Sequence, residues 1–317
     1  MKRSLLLTAL AVLFLAVSCS DSGTNQTDKK APERKGWSEG PLYGDVESVT
    51  ITRYKLSDKF GEVVKDINTD YSKEVYKFNP KGDVTEEARY NSDGSLSWKE
   101  INKYDSQGNR IEWAFYNSDG SLMEKYIYKY DSQGNKIEEA RYDSDGSLSS
   151  KHLFKYDSQG NCIEEARYNS DGSLSSKNLI KYDSQGNCIE QARYEGDGSL
   201  DNKWLGKYDS QGNQVESASY NSDGSLIGKN LFKCDSQGNW IEWAVYNSDG
   251  SLDYKYLFKY DSQGNRIEWA VYNGDGSLNG KNLIKYDSQG NCIEGAHYEG
   301  EIMKPTLMEE RIIVYRK

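Results

Sequence analysis

The residue types that most often carry catalysis are scarce or repetitive in this chain of 317 residues. It has two histidines, His152 and His297, and both occupy positions that change identity between internal repeats. Carboxylates are abundant, but they recur at a fixed spacing, whereas a catalytic site needs its own constellation of nucleophile, base and orienting group. We therefore expect no enzyme and no cofactor. A carboxylate pair of the glycosidase type is the alternative that the sequence leaves open.

Calcium binding is the sharpest alternative among metal sites. Asp143-Ser-Asp-Gly-Ser147 is similar to the start of an EF-hand or dockerin loop. The twelfth position of such a loop would be Phe154, where a bidentate glutamate is required. Most copies of this segment also begin with asparagine. Because turn chemistry accounts for the same Asp and Gly, we expect no metal site.

Aromatic side chains are the best candidates for a binding surface, since the chain has 25 tyrosines and 7 tryptophans. Exposed rings can stack on sugars or contact protein partners. Alternatively, the rings cover the sheet or fill a curled interior. The predicted binding residues are Trp113, Tyr126, Trp243, Tyr256 and Trp269.

These aromatic residues are positioned by an internal repeat of 26 residues. Tyr104-Asp-Ser-Gln-Gly-Asn109 returns every 26 residues until 286–291, with Cys234 once in place of the tyrosine. A second turn signal, Asp-Gly-Ser-Leu, lies between these segments. Both signals place glycine where a short hairpin turn needs positive φ. The predicted turn glycines include Gly108, Gly120, Gly134, Gly146, Gly160 and Gly172.

The segments between the turns have strand length, are rich in β-branched and aromatic residues, and lack proline. They predict an all-β fold: an antiparallel β-hairpin repeat array with two strands per repeat, in an extended or spirally curled sheet. Alternation along each strand divides the side chains between two faces. We expect Ile137, Tyr128 and Leu148 on the face that varies between copies, with the aromatic candidates. The other face carries Glu138, Ala140, Tyr142, Lys151, Leu153 and Lys155, with glutamate and lysine able to pair between strands.

The cysteines distinguish two ways of stacking the hairpins. Cys162 and Cys188 lie one period apart. In a meander they are two strands apart, about 9–10 Å, which is too far for a disulfide; in a solenoid they are about 4.8 Å apart and can bridge. We expect free thiols at Cys162, Cys188, Cys234 and Cys292.

The N-terminal residues predict secretion and a lipid anchor. Met-Lys-Arg is followed by an apolar run from Leu5 to Val17, which is too short for a stable membrane span. Leu15-Ala-Val-Ser-Cys19 resembles the lipobox of bacterial lipoproteins. The resemblance implies that Cys19 is acylated and anchors the chain in the bilayer. By the same resemblance, aspartate directly after the cysteine would favour inner-membrane retention and Ser20 does not, which implies the outer membrane of a bacterial envelope, on its periplasmic or its outer surface. The alternative is an ordinary secretory signal.

The repeat resembles known families. Tyr-Asp-x-x-Gly-Asn, with lysine before it, resembles the YD repeats of Rhs-type proteins, and the hairpin alternation is similar to MORN-like repeat lipoproteins of Bacteroidetes. The resemblance covers roughly residues 78–298. Rhs repeats spiral into a hollow β-shell, which implies a curled sheet here. Rhs chains are far longer and no toxin core follows residue 298, so toxin delivery is not implied.

The predicted organisation has five parts: a lipoprotein signal peptide (1–19), a flexible tether (20–42), an N-terminal β cap (43–77), the hairpin repeat domain (78–298) and a C-terminal cap strand (299–317). A net charge of −10 argues against nucleic acid as a partner. We predict a membrane-anchored, non-catalytic lipoprotein that presents an extended β-surface to a protein or glycan. The alternative is an envelope structural or immunity-type lipoprotein related to Rhs systems.

Overall fold

The computed structural model describes residues 34–35, 37–40, 42–59, 62–67, 73–300 and 304–317. The predicted signal peptide, the predicted acylation site Cys19 and the predicted tether up to residue 33 lie outside these residues. In the described part of the chain, no helix has the length and apolar character needed to cross a bilayer. The secondary structure of the described residues is all-β, as the sequence predicted.

The described residues form 21 strands in one antiparallel sheet. The strands are β1 (Val46–Lys59), β2 (Glu62–Ile67), β3 (Lys73–Phe78), β4 (Val84–Tyr90), β5 (Leu96–Tyr104), β6 (Arg110–Asn117), β7 (Leu122–Tyr130), β8 (Lys136–Asp143), β9 (Leu148–Tyr156), β10 (Cys162–Asn169), β11 (Leu174–Tyr182), β12 (Cys188–Glu195), β13 (Leu200–Tyr208), β14 (Gln214–Asn221), β15 (Leu226–Cys234), β16 (Trp240–Asn247), β17 (Leu252–Tyr260), β18 (Arg266–Asn273), β19 (Leu278–Tyr286), β20 (Cys292–Glu299) and β21 (Leu307–Tyr315).

The sheet closes on itself. Strands β3 to β21 pair in sequence order, and β1 pairs with β21 on one edge and with β3 on the other, giving a ring of 20 strands. Strand β2 extends the edge of β1 that β3 occupies. With strands about 4.8 Å apart, a circular ring of this size is about 30 Å across between backbones, before strand tilt is considered. The sequence left the sheet extended or spirally curled, whereas the structure joins its first and last strands.

The two faces of the ring differ in what covers them. At the β21–β1–β3 junction one face is packed, with Val49 and Ile51 at 0% exposure, while Ile312 on the other face of β21 is 65% exposed. We call the first face, which includes Tyr126 of β7 and Arg141 of β8, the inner face. The second is the outer face.

The outer face carries the predicted ladder of charges. Glu190 accepts from Lys181 and Lys203 at 2.9 Å each, and Glu216 likewise lies between two lysines. The side chains of Lys181 and Lys207 are well exposed. Each of their ion pairs therefore contributes only about 0.2–1 kcal/mol to stability. Because such pairs recur around the ring, their contributions to stability add.

Bulges near the ends of the paired strands change the face of two residues. The register shifts between Lys129 and Tyr130, which leaves Ile137 as an extra residue between their partners. Lys136 then lies on the inner face, with Nζ 5.6 Å from the ring centroid of Tyr128. The expectation that Ile137 shares the face of Tyr128 is therefore wrong: a bulge places two successive side chains roughly on one side.

The side chain of Leu148, the first residue of β9, changes face in the same way, at the opposite end of β8. The register shifts between Arg141 and Tyr142, so Leu148 pairs with Tyr142. It lines an outer groove with Lys151 and Leu153. Strict alternation had placed Leu148 on the inner face, and this too is wrong, because the bulge interrupts the period of two.

The two turn types form the two rims of the ring. In the first rim, Asp131 Oδ1 accepts from the backbone N–H of Gln133 and Asn135 at 2.9 and 2.8 Å, and Gly134 has φ of 87°. In the second rim, Asp119 Oδ1 accepts a hydrogen bond from the backbone N–H of Ser121 at 2.9 Å. Gly120, the residue before Ser121, has φ of 83°. Only glycine adopts such φ values without steric cost.

The repeated tyrosine links each repeat to the one before it. Tyr156, at the end of β9, donates its phenol O–H to the carbonyl of Lys136, at the start of the neighbouring strand β8, at 2.8 Å. The same bond, 2.7–3.0 Å long, is made by Tyr104, Tyr130, Tyr182, Tyr208, Tyr260 and Tyr286. Cys234 lacks the phenol, and the residue opposite it is Trp240, which stacks on Phe232 at 4.6 Å.

A strap formed by the described residues of 34–45 lies on the inner face where the ring closes. Trp37 packs edge-on against Tyr76 at 5.0 Å, and Arg34 donates to the carbonyl of Leu42 at 3.1 Å. Leu42 of the strap belongs to the buried core cluster that includes Val49 and Phe78, and Trp37 packs against this cluster. Residues that precede the first strand therefore add to the packing where the ring closes.

The four described cysteines are free thiols. Cys162 and Cys188 begin β10 and β12, which are separated by β11. This is the spacing of the meander, and the expectation of unpaired thiols is confirmed.

Candidate functional site

The inner face collects the aromatic side chains of the protein. All seven tryptophans lie on this side of the sheet: six on strands and one on the strap. They are Trp37, Trp98, Trp113, Trp204, Trp240, Trp243 and Trp269. The sequence left open whether the aromatic face is open or enclosed; the closed ring encloses it.

The first aromatic cluster lies on β5–β7. Trp113 meets Tyr126 edge-on at 5.2 Å and lies parallel to Phe115 at 6.1 Å. Trp98 contacts Phe115 at 5.5 Å. Trp113 Nε1 donates to Glu100 Oε2 at 2.7 Å, which fixes the indole against the wall. The structure thus brings two of the predicted residues, Trp113 and Tyr126, into one site.

The second aromatic cluster lies on β15–β18 and is larger. Trp243 and Tyr256 stack at 4.7 Å with 17° between their planes, and Trp269 lies 6.3 Å from Tyr256. Tyr256 also lies parallel to Phe258 at 6.2 Å. Trp243 Nε1 donates to Asn230 Oδ1 at 3.0 Å. The other three predicted residues therefore form one continuous aromatic wall.

The two clusters face each other across the ring. Strand β6 lies near the centre of the first cluster, and β16 lies near the centre of the second. These two strands are ten strands apart in either direction around the ring of 20. Among the described residues, the ring–ring contacts of the clusters join the same or neighbouring strands and none spans the interior. Trp113, Tyr126, Trp243 and Trp269 all stay partly exposed on the inner face.

An ion network stabilises the seam where the ring closes. Glu74, whose side chain is 3% exposed, accepts from Arg53 at 2.7 Å and from Arg89. Arg53 also pairs with Glu309 at 2.9 Å, and Arg311 pairs with Glu309 at 2.7 Å. Burial opposes ionisation of Glu74, yet the two arginines hold its pKa below the ordinary value.

The strap joins this network through Glu39, which lies 3.2 Å from Arg311. Burial raises the pKa of Glu39 against the opposing effect of Arg311. With Glu39 included, three carboxylates face three guanidinium groups across β4, β3, β1 and β21. This network could not be predicted from the sequence, because its members are far apart along the chain.

A carboxyl pair lies beside the first aromatic cluster. Glu87 and Glu100 are directly opposite each other on β4 and β5. Burial, and then repulsion from Glu100, raise the pKa of Glu87 to about 7. Burial also raises the pKa of Glu100. Near neutral pH the pair can therefore hold a proton and exchange it at the inner wall.

The histidines and the calcium-like loop do not converge. His152 is on β9 and His297 on β20, and burial lowers the pKa of both imidazoles. Asp145 of the loop accepts from the N–H and hydroxyl of Ser147 at 2.9 and 2.7 Å, the same turn geometry as in the other repeats. Turn chemistry accounts for this carboxylate.

Sequence reasoning missed part of each cluster. Trp98, Phe115 and Tyr128 belong to the first, and Phe232, Trp240, Tyr254 and Phe258 to the second. The signal was available for most of them, since they lie two residues from a predicted member or directly opposite one. Trp240 lies across a bulge, where alternation fails.

Comparisons with known proteins find one family model and several structures of low similarity. A family model described as "Uncharacterised protein" matches residues 103–220, and no curated protein matches the chain. A structure described as TcdB2-TccC3-Cdc42 is 10% identical over 78% of this chain and 16% of that chain, with a TM-score of 0.31. A porin-like protein from Bacteroides uniformis is 9% identical over 85% of this chain and 96% of that chain, with a TM-score of 0.36. Likeness at this level carries no information about ligand or activity.

Proposed function

We propose that this chain is a lipid-anchored, non-catalytic repeat protein of the bacterial envelope that binds a glycan inside its closed ring. The observation that carries the proposal is the pair of aromatic clusters on opposite sides of the interior. An elongated ligand in this space can meet ring faces on both sides. The predicted binding surface is thus enclosed rather than extended.

Glycan is favoured over a protein segment by the groups beside the rings. Sugars offer C–H faces that stack on aromatic rings and hydroxyls that need hydrogen-bonding partners. Asn230 lies against Trp243, and its Nδ2 donates to Ser217 Oγ at 3.1 Å. On β15–β18 the inner face is otherwise aromatic, aliphatic or amide-bearing, apart from Cys234, the glycines and Arg266. Neutral amides beside ring faces suit hydroxyl groups.

Tryptophan fluorescence tests this proposal directly, because every tryptophan is on the inner side. We expect the emission to change on titration with neutral oligosaccharides. The double variant Trp243→Ala, Trp269→Ala should weaken binding at least tenfold. Tyr246→Ala, on the outer face of the same strand as Trp243, is the matched control and should bind normally. Unchanged binding in the double variant would remove the second cluster from the site.

The products of the same titrations test the absence of catalysis. We expect oligosaccharides to be recovered intact after incubation with the protein. Cleavage that is lost in Glu87→Gln would instead assign acid–base chemistry to the pair of Glu87 and Glu100.

The anchor is tested in the producing cell. We expect an alkyne analogue of palmitate to label the wild-type chain and not Cys19→Ala. Labelling that persists in the variant would contradict the assignment of the anchor to Cys19.

An envelope structural or immunity-type lipoprotein is the second candidate. It is supported by the closure itself, because β1 and β21 pair with each other and thereby remove the sheet edges that invite aggregation. For this candidate we expect no glycan to change the tryptophan emission, and a protein partner to bind the outer face.

A further inference from the structure

Arginine recurs at one inner position in three successive repeats. Arg141, Arg167 and Arg193 lie on β8, β10 and β12, each one period from the next. Neighbouring members are two strands apart, about 9–10 Å. The same position carries Phe115 before this series and Ser219 after it. The arginines therefore occupy the stretch of inner wall that follows the first aromatic cluster.

A cavity of about 90 Å³ opens between the first two arginines. Its lining consists of Tyr126, Glu139, Arg141, Ser150, His152 and Arg167. Ser150 pairs directly with Arg141, and its short side chain leaves the hollow between the two guanidinium groups. The volume exceeds the roughly 30 Å³ that a water occupies in the liquid. A group of several heavy atoms can enter.

The charges around this cavity leave one arginine without a partner. Glu139 is paired with Lys136 at 2.7 Å, and Arg141 Nε with Glu124 at 2.7 Å. Within the residues that the structure describes, no ion pair involves Arg167, which is exposed to the interior. A guanidinium group donates two parallel hydrogen bonds to a planar oxyanion. Glu165, two residues away on the same face of β10, accepts from Asn178 Nδ2 at 3.1 Å. The inner face thus offers a bidentate donor with no ion pair of its own beside the cavity.

We propose that the cavity between Arg141 and Arg167 binds an oxyanion substituent, a carboxylate or sulfate, of the glycan that the aromatic clusters hold. The ligand is then an acidic glycan. This inference rests on the proposed function and narrows its substrate class. The aromatic residues supply stacking, and Arg167 selects the charged sugar.

Matched ligand pairs test the inference. Oligogalacturonate is compared with its methyl ester, and dextran sulfate with dextran, by fluorescence titration of the full chain. We expect one acidic member to bind at least tenfold more tightly than its neutral counterpart. The preference should fall in Arg167→Gln and with added salt, and Lys155→Gln, an exposed outer-face charge, should keep it. The acidic ligand that binds identifies the substituent.

The outcomes separate the two proposals. Equal binding of acidic and neutral members, or an acidic preference that survives Arg167→Gln, overturns the arginine site while leaving the aromatic site standing. If no glycan changes the emission of the wild-type chain, both proposals fail. Circular dichroism of Arg167→Gln shows that the variant is folded, which is expected because the side chain is exposed.

Discussion

Removing the phenol hydroxyls that link successive repeats should destabilise the ring, and the losses of unfolding free energy at separate sites should add. Tyr130, Tyr156 and Tyr182 each donate to a backbone carbonyl of the preceding repeat, on the neighbouring strand, at 2.7, 2.8 and 3.0 Å. Substitution by phenylalanine keeps the ring and deletes only the donor. A hydrogen bond of this kind contributes about 1 kcal/mol net, and more where its acceptor then stays buried without a partner.

The three sites are separated by two strands each, so their effects should add. The triple phenylalanine variant should therefore lose about 3 kcal/mol of unfolding free energy. With a urea m value of about 3 kcal/mol per M, the midpoint moves down by about 1 M. Urea titration followed by tryptophan emission and by circular dichroism gives this shift. Each single variant should show about a third of it.

Tyr194→Phe is the control, because this tyrosine lies on the outer face beside Lys177 and its hydroxyl makes no hydrogen bond in the described part of the chain. Its midpoint should stay within about 0.2 M of wild type, since such a surface change contributes less than about 0.5 kcal/mol. Equal shifts in this control and in a single linking variant would refute the reasoning. The loss would then belong to tyrosine in general and not to the link between repeats.

Three further predictions concern charge and protonation. Glu74→Gln should cost about 3 kcal/mol by leaving two arginines at the seam without their acid, whereas Glu190→Gln on the outer ladder should cost less than about 1 kcal/mol; urea titration of both variants compares them. Glu87, whose pKa burial and Glu100 raise to about 7, binds a proton more tightly when folded, so its contribution is full below pH 4.5 and is lost as pH rises through 7. Glu87→Gln should therefore stabilise the chain at pH 8 more than at pH 5, and equal effects at both pH values would contradict this. Burial raises the pKa of Tyr256 to about 12, so the difference in tyrosinate absorbance between wild type and Tyr256→Phe should develop near pH 12; development near pH 10 would show an exposed phenol.

The hairpin architecture could be predicted from sequence because its causes are local. A glycine with positive φ, such as Gly120, and an aspartate that caps the turn lie within five residues of each other. The strands between them follow from side-chain type and length. The faces of Tyr126 and Trp243 follow from alternation, which holds until a bulge such as that at Ile137 interrupts it.

Closure could not be predicted, because it depends on contacts between residues far apart in the chain. Arg311 reaches Glu39 across 272 residues, and Val49 becomes buried only when β21 and β3 flank β1. A repeat of constant sequence is compatible with an open, spiral or closed sheet. The residues that pair and pack where the ring closes lie outside the repeats, in segments whose sequence has no periodicity from which to predict their contacts. The enclosed position of the aromatic clusters follows from closure and was equally invisible.

The pairing of the first and last strands is the central claim, and an engineered disulfide tests it most directly. Thr50 of β1 and Ile312 of β21 lie directly opposite each other on the outer face, at the Cα separation of about 4.5–5.5 Å that a disulfide needs. Thr50→Cys, Ile312→Cys should form an intramolecular bridge on mild oxidation, seen as faster migration without reductant and located by peptide mapping. Thr50→Cys combined with Ile189→Cys of β12, on the far side of the ring, should not. Failure of the first pair to bridge within one chain would contradict a closed ring, and with it the enclosed binding site.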